Sequence, residues 1–215
     1  MHGSGNVIGG LVGALNDSSV TNSQTSAAID GGEFIGGAFG DVSDSQISRV
    51  EATGSVVSNL SEEWIAKSGN YSGGFAGRLT STEVSNSSAT GSVDAEGGYT
   101  GGFAGLIDGN SVLDTNFATG AVTSDASQVG GFAGQIGNTV SITDSYATGM
   151  VSGVSTVGGF VGGAYCGPSF TRVYATGNVT ATGDYAGGFV GSDGCEGPGA
   201  SYEEVFASGN VSGVN

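Results

Sequence analysis

Positive charge is nearly absent from this sequence. One lysine (Lys67) and three arginines (Arg49, Arg78, Arg172) stand against twenty Asp and Glu, for a net charge of −16 at pH 7. Phosphate backbones are held by clustered Lys and Arg, so nucleic acid is excluded as a partner, and an anionic membrane surface is disfavoured for the same reason. There are two prolines and one histidine. Scarce proline argues against collagen and against Pro-rich linkers. His2 alone cannot furnish a His-based catalytic triad, and two cysteines fall short of the four sulfurs of a Cys-only zinc site. No apolar run is long enough to span a bilayer, so membrane insertion is not expected. No charged-then-apolar leader opens the sequence. The expectation is a chain whose signal has been removed, or a piece of something longer.

What is present is glycine, 44 of 215 residues, where ~7% is usual. Its placement is periodic. A Gly-Gly pair, a residue that is usually Phe, a small residue and a further Gly recur seven times, centred on Leu11, Ala38, Phe75, Phe103, Phe132, Phe160 and Phe189. The steps from Phe75 onward are 28, 29, 28 and 29 residues. The step from Ala38 to Phe75 is 37, which places an insertion at 58–67. A second block trails the first in every unit, as in Ala118-Thr119-Gly120-Ala121-Val122 and Ala147-Thr148-Gly149-Met150-Val151. Self-similarity at this period is the mark of a repeat architecture.

The two blocks together resemble the GLUG-type repeat, most closely over Val129–Val151 with its Asp144-Ser145-Tyr146-Ala147-Thr148-Gly149 run. The first two units depart most, with Leu11 and Ala38 in place of Phe, and Gln24 and Glu51 in place of the later aromatic. Such repeats occur in large prokaryotic surface proteins and adhesins, and in the non-catalytic part of some secreted proteases. The resemblance implies an extracellular, cell-surface, adhesion-associated setting.

Glycine at this density is poor in helix interiors, and the remaining apolar residues, Val, Ile, Phe and Tyr, favour strands. Two columns are apolar in all seven units: Val20, Ile47, Val84, Leu113, Ile142, Phe170 and Tyr202, and then Ile29, Val56, Val93, Val122, Val151, Val179 and Val211. Stacked coils would turn these columns into buried ladders. The expected fold is therefore all-β, a single parallel β-helix (β-solenoid) domain over 1–215, of about seven coils. Right-handedness follows from the crossover rule. The Gly-Gly pairs would serve either a left-handed corner or a close approach of neighbouring backbones. Within the insertion, Ser61, Glu62, Glu63 and Lys67 are placed as the ends of a short helix or loop, pinned to the rod by Trp64 and Ile65.

Alternation then assigns an outward face. If the Ala, Gly and Val columns point in, a hydroxyl rank points out: Thr53, Thr90, Thr119, Thr148 and Thr176, flanked by Ser26 and Ser208. Beside it runs an aromatic column, Phe117, Tyr146, Tyr174 and Phe206. Stacked aromatics stabilise one another, and exposed ones mark interaction sites. The partners this face suggests are a glycan, a surface protein or, through an ordered threonine rank, ice; ice-binding solenoids usually carry two such ranks, and one is found here. Cys166 and Cys195 each lie six residues after the Phe of their unit, so adjacent coils would bring them within disulfide range; two free thiols in a loop are the alternative. Asp108-Gly109-Asn110 and Asp193-Gly194 carry calcium-type oxygens but match no calcium loop and read as turns, so no cofactor is expected. With no catalytic constellation, neither is an enzyme. Neither end reads as a polar cap, so the rod either continues or stacks end to end on other copies.

Overall fold

The structure, a computed structural model, describes residues 7–59, 70–96, 98–125, 127–137, 139–194 and 199–213. Over these residues the chain contains no helix and winds into a β-solenoid of seven coils, in which the strands pair in parallel with the coil before and the coil after. At a strand spacing of ~4.8 Å this is a rod of roughly 35 Å. One coil shows the plan. Tyr99–Gly101 lies on a first face and Ala104–Asp108 on a second. A third face carries Val112–Asp114 and then Phe117–Ala118, and a fourth carries Val122–Ser124.

The columns read from the sequence are the interior. Ala52, Ala89, Ala118, Ala147 and Ala175 are sealed, as are the valines from Val56 to Val179. The Phe column stacks face to face from Phe75 to Phe189, with ring centroids 4.4 to 5.0 Å apart. In the second unit the order is Ala38-Phe39 rather than Phe-Ala. The Phe39 ring still reaches the ladder, tilted 60° and 5.3 Å from Phe75. At the last coil the columns come to the surface: Tyr202, Phe206 and Val211 are exposed.

The interior is not one core but two. A larger apolar cluster, with the phenylalanines, lies between the second and third faces; a smaller one, with the valines, lies between the first and fourth. Glycine draws the line between them. A Cβ on Gly77 would sit 2.8 Å from the Ile35 nitrogen and 2.9 Å from the Tyr71 oxygen, so the first and second faces close directly on one another there. A Cβ on Gly74 would overlap the Gly102 oxygen of the next coil. Close approach, not a left-handed backbone, is thus what the Gly-Gly pairs provide; the glycines with positive φ among the described residues are Gly98, Gly109 and Gly167.

Registration survives the long step. Phe34 pairs with Tyr71 and Gly36 with Gly73 across 37 residues, as cleanly as Tyr99 pairs with Gln128. Residues 60–69, over which the short helix or loop of Ser61, Trp64 and Lys67 is expected, lie outside the described residues.

Candidate functional site

The hydroxyl rank and the aromatic column are both set by a corner in the middle of the third face. In all seven coils a non-glycine residue there takes a left-handed backbone: Asn22, Arg49, Asn86, Thr115, Asp144, Arg172 and Glu204, with φ between 48 and 58°. Asn and Asp tolerate this region best among non-glycine residues. The residue that follows turns inward. Where it is polar it becomes a rung of a buried ladder: the Val50 N–H donates to Ser87 Oγ, the Ser87 N–H to Asn116 Oδ1, and the Asn116 N–H to Ser145 Oγ, at 2.9 to 3.1 Å. The hydroxyls of Ser87 and Ser145 donate back to carbonyls two residues earlier, and Asn116 Nδ2 donates to the Val84 oxygen. No rung is left unpaired, as a polar group in a core requires.

With that residue held inside, the next points out. Phe117 and Tyr146 stack at 5.0 Å and 2°, and Tyr146 and Tyr174 at 4.9 Å and 6°. Phe117 and Tyr146 are half-buried, Tyr174 and Phe206 exposed. Tyr146 therefore has a neighbour on each ring face and shows solvent only its edge and hydroxyl. Burial, reinforced by Tyr174, raises its phenol pKa above the usual value. At the same position Ser88 is buried, while Glu51 and Gln24 are exposed.

One inward alanine later comes the rank itself. Thr53, Thr90, Thr119, Thr148 and Thr176 are all exposed, and each N–H donates to the coil before at 2.9 to 3.0 Å. The rank is thus fixed by backbone and free in its side chains, apart from the Thr53 hydroxyl, which donates to the Thr25 oxygen at 3.3 Å. It is one residue wide, because the chain bends at the following glycine, Gly120 in the fourth coil. A second hydroxyl column missed in the sequence, Thr123, Ser152, Thr180 and Ser212, lies in register beyond that bend, on the fourth face. Its signal was there, four residues after each Thr, but Asp30, Val57 and Asp94 interrupt it in the earlier coils.

All three arginines reach back one coil. Arg78 makes a two-pronged bond to Asp41 at 2.9 and 2.7 Å and lies 4.8 Å over the Phe34 ring. Arg172 holds Asp144 in the same way at 2.6 Å, and Arg49 Nε donates to Asn22 Oδ1. The Arg172 hydrogen bonds keep the Asp144 carboxyl below its usual range.

Cys166 is not a free thiol; Cys195, its expected partner, lies outside the described residues. Asp108-Gly109-Asn110 is a turn, with Gly109 at φ 69°, and Asp193 accepts the Tyr202 hydroxyl at 2.9 Å. Among the described residues no three His, Cys, Asp or Glu side chains converge as a metal site would need, and no helix is long and apolar enough to cross a membrane.

Two segments of the chain, 68–94 and 125–152, match the GLUG motif. The second contains the Asp144–Gly149 run that supplies the corner, the ring and the hydroxyl. No curated protein and no solved structure matches the chain.

Proposed function

We propose that this GLUG-repeat solenoid is a non-enzymatic structural and adhesive module of an extracellular surface protein, meeting its partner through the Thr rank and the edges of the aromatic ladder. The observation that carries the reading is the rank: five exposed threonines in equivalent positions of successive coils, their main chains fixed and four of their five hydroxyls unspent on the protein. Pre-ordered groups lose little entropy on binding. The ladder supports the rank rather than gripping a ligand by its ring faces, since the face of one ring is covered by the next. The partner chemistry this favours is hydrogen-bonding, from a surface protein or a glycan. The extracellular setting is supported by the repeat and by the Cys166–Cys195 pairing proposed here, because disulfides persist in oxidising compartments.

Binding to immobilised surface glycoprotein tests the reading. A Thr119→Ala, Thr148→Ala, Thr176→Ala triple variant, folded as judged by circular dichroism, is expected to lose at least tenfold in affinity; full retention overturns the rank as the contact. The same rank supports ice binding as a second reading. Its width of one residue speaks against that, and measurable thermal hysteresis at micromolar protein would reverse the order of the two readings.

A further inference from the structure

We infer that the first half of the third face, away from the Thr rank, is a groove for a neutral oligosaccharide lying along the rod. The inference rests on the adhesive reading but uses a separate surface. The groove arises from strand length. In the first four coils the strand segment there is bounded by left-handed residues, Asp44 and Arg49 in the second coil, Ser81 and Asn86 in the third. Between these corners only three residues run extended in the third and fourth coils, the middle one pointing inward and the outer two pointing out. Stacking four coils makes two outward columns with a floor of backbone between them, over Ile47 and Val84. The hollow measures about 400 Å³.

What lines it differs from the outward side of the second face, where side chains hydrogen-bond from coil to coil: Ser43 to Asn16 and Arg78 to Asp41. In the groove, the side chains of Thr21, Gln46, Ser48, Glu83 and Ser85 make no hydrogen bond to any described residue. Unspent donors and acceptors are concentrated in a concavity, which is how polar groups that orient a ligand are placed. The groove ends where Asp114 accepts the Thr143 hydroxyl at 2.6 Å.

The lining selects the occupant. Asp17 and Asp44 border an adjoining hollow that shares Ser19 and Gln46 with the groove, and Glu83 and Asp114 lie within it. No Lys or Arg lines either, so an acidic polymer is repelled. A peptide lying along the rod runs across the strands and cannot add to them as a further strand; among the described strands of the groove only Ser19–Thr25, at its end, is paired on one side alone. The carboxylates are spread over successive coils rather than gathered for a cation. Carboxylates, an amide and hydroxyls that accept and donate in one row match the hydroxyls of a sugar chain. Val112, 45% exposed at the far end, offers an apolar contact for the C–H side of a ring.

The test is calorimetric titration of the folded protein with neutral hexose and N-acetylhexosamine oligomers, repeated in EDTA. Glu83→Ala and Gln46→Ala are each expected to weaken binding at least tenfold, and Ser85→Trp, which fills the floor, to abolish it. Val154→Ala, exposed and outside both the groove and the Thr rank, is expected to leave it unchanged. If Thr148→Ala loses binding and Glu83→Ala keeps it, the adhesive reading stands and the groove falls. Binding lost in EDTA, preference for uronate or sulfated oligomers, displacement by an unrelated peptide, or no binding of any neutral oligomer each overturns the groove as well. In the last case the Thr rank remains open to a protein partner.

Discussion

A methyl group added at Gly120 has no space to enter, because its carbon would overlap the Gly91 carbonyl oxygen of the preceding coil. The same overlap recurs at Gly91, Gly149, Gly177 and Gly209. Gly120→Ala must therefore push adjacent coils apart, and we expect a loss of about 3 kcal/mol, the upper end of the usual overpacking range. Gly194→Ala, where nothing lies within 4 Å, serves as the neutral control; equal melting temperatures for the two variants would refute the packing argument. Replacing an unpaired polar side chain inside the smaller core by an apolar one acts in the other direction. Ser72 occupies the column of Ile35 and Val129, fully buried, and its hydroxyl has no partner. A buried unsatisfied hydroxyl costs about 1–3 kcal/mol, so Ser72→Val is expected to raise the midpoint of denaturant unfolding, and a lowered midpoint counts against it. These residues also show where the sequence was legible. Columns of one residue type, the Phe, Ala, Gly and Val ladders, identify themselves by repetition. The inward column Val50, Ser87, Asn116, Ser145 and Val173 does not, since valine and hydrogen-bonding side chains share it and the hydrogen bonds that let them share an interior are invisible in one dimension.

At the scale of the corner, the ladder through Ser87, Asn116 and Ser145 is what aims the rings and threonines outward. Asn116→Ala leaves the Ser87 N–H and the Val84 oxygen without their partners and is expected to cost about 1–3 kcal/mol, with the near-ultraviolet dichroism of Phe117 and Tyr146 weakened as well. Asn116→Ser, which restores one acceptor, should recover some of the loss; no difference between the two would show that the ladder is ornamental. The left-handed corner itself was missed because positive φ was sought at glycines. Asn22, Asn86 and Asp144 were the available hint, but Arg49, Arg172 and Glu204 share the position and obscure it. The Arg172–Asp144 staple gives this corner a pH dependence. The Asp144 carboxyl titrates lower in the folded chain than in the unfolded one, so its contribution is complete above the unfolded value near 4 and fades as pH falls through the folded value. In Arg172→Met the acid limb of the stability curve should flatten, and an unchanged limb would assign it to other carboxylates.

Over the whole molecule, charge and covalent closure set the balance. A chain of charge −16 repels itself, and screening acts over about 8–10 Å at ordinary ionic strength. Raising salt from roughly 10 to 150 mM is expected to raise the melting temperature, despite weakening exposed ion pairs; a fall would mean that the arginine staples outweigh the repulsion. If Cys166 and Cys195 are joined, the loop between them confers about 3–4 kcal/mol by the chain-entropy estimate. Thiol titration under denaturing conditions should then find no free sulfhydryl before reduction and two after it. The number of coils, their parallel stacking and the exposed threonines were all readable as periodicity. The division into two cores, the narrow rank and the groove were not, because each depends on the angles at which faces meet.

The registration across the long step has one more implication. The strand ending at Ser58 and the one beginning at Tyr71 sit in adjacent layers as faithfully as those with no added residues between them. Extending a loop between two ends already held close costs only logarithmically in its length. The rod is thus a mast on which a graft can be hoisted at Asn59 without disturbing the rigging on either side.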